Sequence, residues 1–148
     1  MSVSPTVHAP GRDGIGFFMN QAVLVVEDEP FEAIDIALTF EGEGARTMHA
    51  ANCRQAQSAI AALGGPEGLI GAVLDVHLGE EETVRPIAQM LAAANVPFVL
   101  HTALSARHAR EIVGIDAVQI TKPSTPPRLI EALRHAATVG ARDAANAH

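Results

Sequence analysis

The chain has 148 residues, the size of one domain and enough to bury a core without staples. Hydrophobic residues are 48% but aromatics only 3%, with no Trp or Tyr, so the core is aliphatic apart from five Phe, and one cysteine, Cys53, excludes a disulfide framework and an all-cysteine metal cage. A net charge of −7 argues against nucleic acid as the main partner, and no membrane span or secretory signal is evident, so a cytoplasmic setting is expected.

Residues 1–20 carry Pro5, Pro10, Gly11 and Gly14 without a period and read as a flexible N-terminal arm. Phe17-Phe18-Met19 could dock on the body, but a frayed tail is the expectation. Residues 21–140 then alternate short apolar runs with stretches of helical spacing. The runs are Ala22–Val26, Ala45–His49, Leu69–Leu74, Pro97–Thr102 and Ala117–Ile120. Val23 to Val26 lack polar alternation, as in a strand covered on both faces.

Between the runs, five helices are predicted. Pro30 fits the first helical position, and Phe31, Ile34, Ala37 and Leu38 form an apolar stripe. Asn52 caps a second helix with Ala56, Ala59, Ile60 and Leu63 inward, ending near Gly64-Gly65-Pro66. A third runs from Val84 to Ala94 and a short fourth starts near Ser105. A fifth follows Ser124 or Thr125 with Leu129, Ile130, Leu133 and Ala137 inward. Residues 141–148 read as a C-terminal tail. Five βα repeats predict an α/β fold with a doubly wound parallel sheet of five strands and five helices. Sites in such sheets lie outside the carboxyl ends of the strands.

The residues at those ends carry chemistry. The first run ends in Glu27-Asp28, the third in Asp75, the fourth in Thr102 and the fifth in Lys122, the only lysine. Carboxylates on one edge repel, and a hard divalent cation relieves them. Asp28 and Asp75 are candidate Mg2+ ligands with the His77 backbone carbonyl, and Glu27 is long enough to act through a water. Asp75 beside Mg2+ and Lys122 suits phosphoryl transfer, because a carboxylate can attack phosphorus and form an acyl phosphate. Lys122 and the Thr102 hydroxyl would each take a phosphoryl oxygen, and Ala103 leaves room beside them. Other signals are bland. His101 reads as a wall residue, Gly64-Gly65 as a turn, Cys53 as a buried small residue and Glu80-Glu81-Glu82 as a solvated loop. Arg107, Arg110, Arg128 and Arg134 decorate the fourth and fifth helices, as a partner surface or a solvated face.

Val-Val-Glu-Asp-Glu-Pro, Leu-Asp-Val-His-Leu-Gly, the Thr of the fourth run and Thr-Lys-Pro together resemble the receiver domain of two-component response regulators. The resemblance spans 21 to about 139 and implies a flavodoxin-like strand order of 2-1-3-4-5. It implies a phosphoacceptor at Asp75, an acidic pair at Glu27 and Asp28, a hydroxyl switch at Thr102 and a phosphate-binding Lys122. It implies a histidine kinase or histidine phosphotransfer protein as donor and a signalling rather than enzymatic role. With no room for an output domain after residue 139, the effect would come through contact with a downstream protein, by draining phosphate, or through a homodimer. Two departures stand out: Gln119 replaces the usual aromatic three residues before the lysine, and Ser124 replaces the aromatic that often follows Lys-Pro. The chain is also similar, less closely, to atypical stand-alone receivers of alphaproteobacteria. The alternatives are a phosphorylation-independent interaction module and a Mg2+-dependent phosphatase with an Asp nucleophile. The phosphatase needs a second Asp where His77 stands.

Overall fold

The computed structural model of the chain describes residues 16–146. Among these residues the backbone forms β1 (Ala22–Val26), α1 (Pro30–Glu41), β2 (Arg46–Ala50), α2 (Cys53–Ala62), β3 (Leu69–Leu74), β4 (His77–Leu78), β5 (Glu82–Thr83), α3 (Arg85–Ala93), β6 (Phe98–Thr102), α4 (Ala106–Val113), β7 (Val118–Thr121) and α5 (Pro126–Asn146). The five longer strands make one parallel sheet in the order β2-β1-β3-β6-β7. This is the doubly wound arrangement expected from the alternating runs, with β6 and β7 as the fourth and fifth strands. The strand order reverses between β1 and β3, which opens a crevice at their carboxyl ends. The two-residue strands β4 and β5 pair antiparallel, a hairpin that apolar patterning does not reveal.

Both faces of the sheet are covered. Ala22, Leu24 and Val26 of β1 face a core shared with α2, α3 and α4, whereas Val23 and Val25 face one shared with α1 and α5. Every residue of β1 is buried, which explains its unbroken apolar run. Burying one Val or Leu side chain contributes roughly 1.5–3 kcal/mol, so β1 anchors the sheet. Gly71 lets α5 approach β3. A Cβ there would lie 2.8 Å from Leu133 Cδ1.

Helix ends follow from side-chain chemistry. Glu29 caps α1 by accepting from the Phe31 N–H at 3.0 Å. Asn52 accepts from the Gln55 N–H at 2.8 Å, and Gln55 Oε1 accepts in return from the Ala51 N–H at 2.7 Å. Ser105 caps α4 through the His108 N–H, and Gly114 ends that helix in the left-handed conformation. No helix among the described residues is long and apolar enough to cross a membrane.

Several expectations need correction. Residues 1–15 lie outside the described residues, but 16–20 are not a loose arm. Phe17 and Phe18 are buried, and the Phe18 ring meets Phe40 edge-on at 5.2 Å. A chain with so few aromatics keeps these in its core. The apolar stripe assigned to α1 faces outward. Phe31 is 78% exposed, Ile34 53% and Leu38 60%, while Ala33, Ile36 and Phe40 point in. α1 carries two apolar stripes, and the packing of Phe40 on Phe18 selects the second. Glu82 is no solvated loop residue, because its carboxylate accepts from the Cys53 N–H at 3.0 Å and helps cap α2. α5 continues to Asn146, past the expected boundary at 140.

Candidate functional site

Glu27, Asp75 and Lys122 each stand one place past the end of a strand, yet their backbones stay in the ladder. The Glu27 N–H donates to Ala50 O, Asp75 N–H to Val26 O and Lys122 N–H to Thr102 O, each at 2.9 Å. These bonds fix three candidate side chains on the α1/α5 face of the sheet edge. Parallel ladders hold such positions rigidly, whereas a free loop would not.

Lys122 is the hub. Its Nζ lies 3.1 Å from Glu27 Oε1, 3.0 Å from Asp75 Oδ2 and 2.6 Å from Glu32 Oε1. Burial works against the ammonium, but the hydrogen bonds to Glu32 and Asp75 and the nearby negative charge outweigh it and raise its pKa above the usual lysine value. Glu27 is only 2% exposed, with its other oxygen accepting from the Glu29 N–H at 3.1 Å. Burial, reinforced by the Asp75 charge, pushes its pKa up to about 7. Three carboxylates around one ammonium leave excess negative charge at this edge.

Carboxylate oxygens of Glu27, Asp28 and Asp75 lie within 4.8 Å of one another. Asp28 is exposed and its Oδ2 accepts from the Gly79 N–H at 2.8 Å, which draws the loop bearing His77 toward the acids. An all-oxygen donor set with one solvent-facing member suits Mg2+, which keeps several waters. The residues therefore fit the cation that their charge calls for.

Thr102 is buried on the other side of β6. Its hydroxyl accepts from the Leu104 N–H at 3.3 Å, and among the described residues no hydrogen bond joins it to Asp75 or Lys122. The neighbouring Gln119 donates through Nε2 to Leu104 O at 2.7 Å. Two side chains thus hold the loop between β6 and α4.

Glu32, in the first turn of α1, was not among the residues singled out from the sequence. Its spacing from Glu29 reads as ordinary acid at a helix start, and only the fold brings Lys122 to it. His101 lines the cleft beside Lys122, with Nε2 hydrogen-bonded to Ser124 Oγ at 2.9 Å. Cys53 is buried and donates to Thr83 O, and burial pushes its pKa up to about 12, so it is an inert thiol. Arg107, Arg110 and Arg134 pair with Glu111, Asp116 and Glu131 along their own surface.

No protein-family model and no curated protein matches the chain. Solved structures do. A response regulator from Burkholderia pseudomallei, solved with a phosphorylated aspartic acid, a calcium ion and citrate, is 21% identical and superposes with a TM-score of 0.66 over 87% of this chain and 76% of its own. A response regulator receiver protein from Sinorhizobium medicae is 18% identical, with a TM-score of 0.70 over 82% and 97%. A CheY-like receiver domain protein from Methanospirillum hungatei is 17% identical, with a TM-score of 0.69 over 84% and 98%. The chain has the fold of response regulator receiver domains. In that receiver fold the acidic edge, Asp75 and Lys122 surround the crevice between β1 and β3, the place where an α/β sheet of this order binds ligands.

Proposed function

We propose that this receiver-fold chain accepts a phosphoryl group on Asp75 in a Mg2+-dependent step and signals through protein contact or by draining phosphate. The observation that carries the reading is the Lys122 ammonium 3.0 Å from Asp75 with Glu27 and Asp28 beside it. An Asp75 oxygen attacks phosphorus, forming a P–O bond. The bond from phosphorus to the donor's imidazole nitrogen, or to the acetate oxygen of acetyl phosphate, breaks and its electron pair leaves with the donor. Lys122 turns part of its charge to one phosphoryl oxygen. The Thr102 hydroxyl turns to another, giving up the Leu104 N–H. Mg2+, when bound, supplies positive charge beside the transferring group. Glu27, Asp28, Asp75 and the His77 carbonyl would hold it.

The output would differ from an aromatic relay. Thr102 and Gln119 both hold the loop at Leu104, so drawing Thr102 toward the phosphoryl group loosens that loop against α4. This supports a population shift in the β6–α4 surface. The outward stripe Phe31, Ile34 and Leu38 begins beside the site, which supports a protein phosphodonor, a histidine kinase or histidine phosphotransfer protein, docking on α1. A cytoplasmic location agrees with such a donor. His77 in place of a second Asp favours signalling over turnover of phosphate esters.

Incubation with labelled acetyl phosphate tests this. Wild type should take up hydroxylamine-labile label only with Mg2+, and Asp75→Asn should take up none. Equal labelling of both proteins would refute the assignment.

A further inference from the structure

The cleft between α1 and the segment joining β7 to α5 holds a buried group that phosphoryl transfer does not use. It is about 470 Å³ in volume and is lined by Glu32, Asp35, His101, Lys122 and Ser124 among others. His101 is 7% exposed. Its Nε2 is hydrogen-bonded to Ser124 Oγ, and its Nδ1 is buried without any hydrogen-bond partner. Burial and the Lys122 charge lower the pKa of the ring, which favours the neutral form. A neutral imidazole that donates from Nε2 to Ser124 presents a lone pair on Nδ1. That is the form in which histidine binds metals, with the second nitrogen held by an orienting partner.

The imidazole has company. A ring nitrogen of His101 and a carboxylate oxygen from each of Glu27 and Glu32 lie within 4.8 Å of one another. We propose that Glu27, Glu32 and His101 form a second divalent-cation site, selective for Zn2+ over Mg2+, in competition with the Lys122 ammonium. The imidazole nitrogen sets the preference, because Mg2+ favours oxygen donors while Zn2+ accepts nitrogen with carboxylates. Three protein ligands leave a fourth tetrahedral position for water from the cleft. Lys122 now neutralises both Glu27 and Glu32. A cation in that place displaces the ammonium from both carboxylates and takes Glu27 from the all-oxygen cluster. The proposal concerns metal binding by the unphosphorylated chain and stands or falls apart from the phosphoryl chemistry.

The test is calorimetric titration of the whole protein with Zn2+ in Mg2+-free buffer, paired with the visible spectrum of bound Co2+. Wild type should bind one Zn2+, and His101→Gln and Glu32→Gln should each weaken it by about tenfold or more. Ser124→Ala should weaken it less. Asp28→Asn removes a ligand of the all-oxygen cluster but none of the three proposed here, so it should weaken Zn2+ binding less than His101→Gln does. The Co2+ spectrum should change in His101→Gln. Thermal melts check that each variant is folded. If His101→Gln does not fold, Glu32→Gln and the Co2+ spectrum carry the decision, because Glu32 sits in a partly exposed helix turn. Absent Zn2+ binding in wild type, unaltered affinity in both His101→Gln and Glu32→Gln, or loss of the site in Asp28→Asn would each overturn the proposal.

Discussion

On the β1–β3 side of the site three carboxylates crowd one ammonium, whereas on the β6–β7 side neutral hydrogen bonds hold one loop. Lys122 reaches Glu27, Asp75 and Glu32 on the first side. Thr102 and Gln119 grip Leu104 on the second. Interactions among partly buried charges run to several kcal/mol, while a neutral hydrogen bond is worth about 1 kcal/mol net. A phosphoryl group arriving at Asp75 therefore perturbs the charged side strongly, and the neutral side is weak enough to yield. The difference assigns chemistry to one side and response to the other.

The largest effect expected is at the hub. Lys122→Ala leaves Glu27 and Asp75 facing each other without a cation and should destabilise the metal-free protein by about 3 kcal/mol at pH 8. At pH 5 the loss should be smaller, because Glu27 is then protonated. Urea unfolding at the two pH values measures both, and equal losses would break the distinction between the sides.

The titration of Glu27 sharpens the same point. Its pKa is raised from 4.5 to about 7 in the folded chain. The native state therefore holds a proton that the unfolded state has released. Glu27 contributes stability that is fully present below about pH 4.5 and is lost as pH rises through about 7. Across that window wild type should lose up to about 3 kcal/mol relative to Glu27→Gln in metal-free buffer. A pH-independent difference between the two proteins would contradict it.

Smaller effects belong to the neutral side and the outer face. Gln119→Ala removes one hydrogen bond and should cost about 1 kcal/mol, with faster amide exchange confined to the loop at Leu104. Phe31→Ser should change stability by less than about 0.5 kcal/mol, because Phe31 is 78% exposed. It should nevertheless slow phosphotransfer from a phosphohistidine protein while leaving uptake from acetyl phosphate intact. A comparison of the two donors separates docking from chemistry.

Much of this is legible in the amino-acid sequence alone. Apolar runs locate the strands to within about a residue or two, most plainly the inner strands β1, β3 and β6, which are almost wholly buried and therefore largely apolar. Parallel pairing then brings every carboxyl end to one edge, which made Glu27, Asp28, Asp75, Thr102 and Lys122 visible as a set. What stayed hidden depends on contacts distant in sequence. The phase of α1 could not be read from the helix, because Phe31, Ile34 and Leu38 compete with Ala33, Ile36 and Phe40, and the deciding ring, Phe18, lies outside it. Glu82 caps a helix that starts 29 residues earlier. Glu32 meets Lys122 only across the folded edge, and the pairing of Gln119 with Leu104 likewise needs β6 and β7 side by side.

The most direct measurement is the position of the phosphoryl group. The protein is treated with acetyl phosphate or phosphoramidate in Mg2+, reduced with borohydride to trap the acyl phosphate, and sequenced by tandem mass spectrometry. The expected result is conversion at Asp75 alone, lost when Mg2+ is chelated. Conversion at another carboxylate, or none at all from either donor in folded, Mg2+-supplied protein, would contradict the assignment of Asp75 as phosphoacceptor.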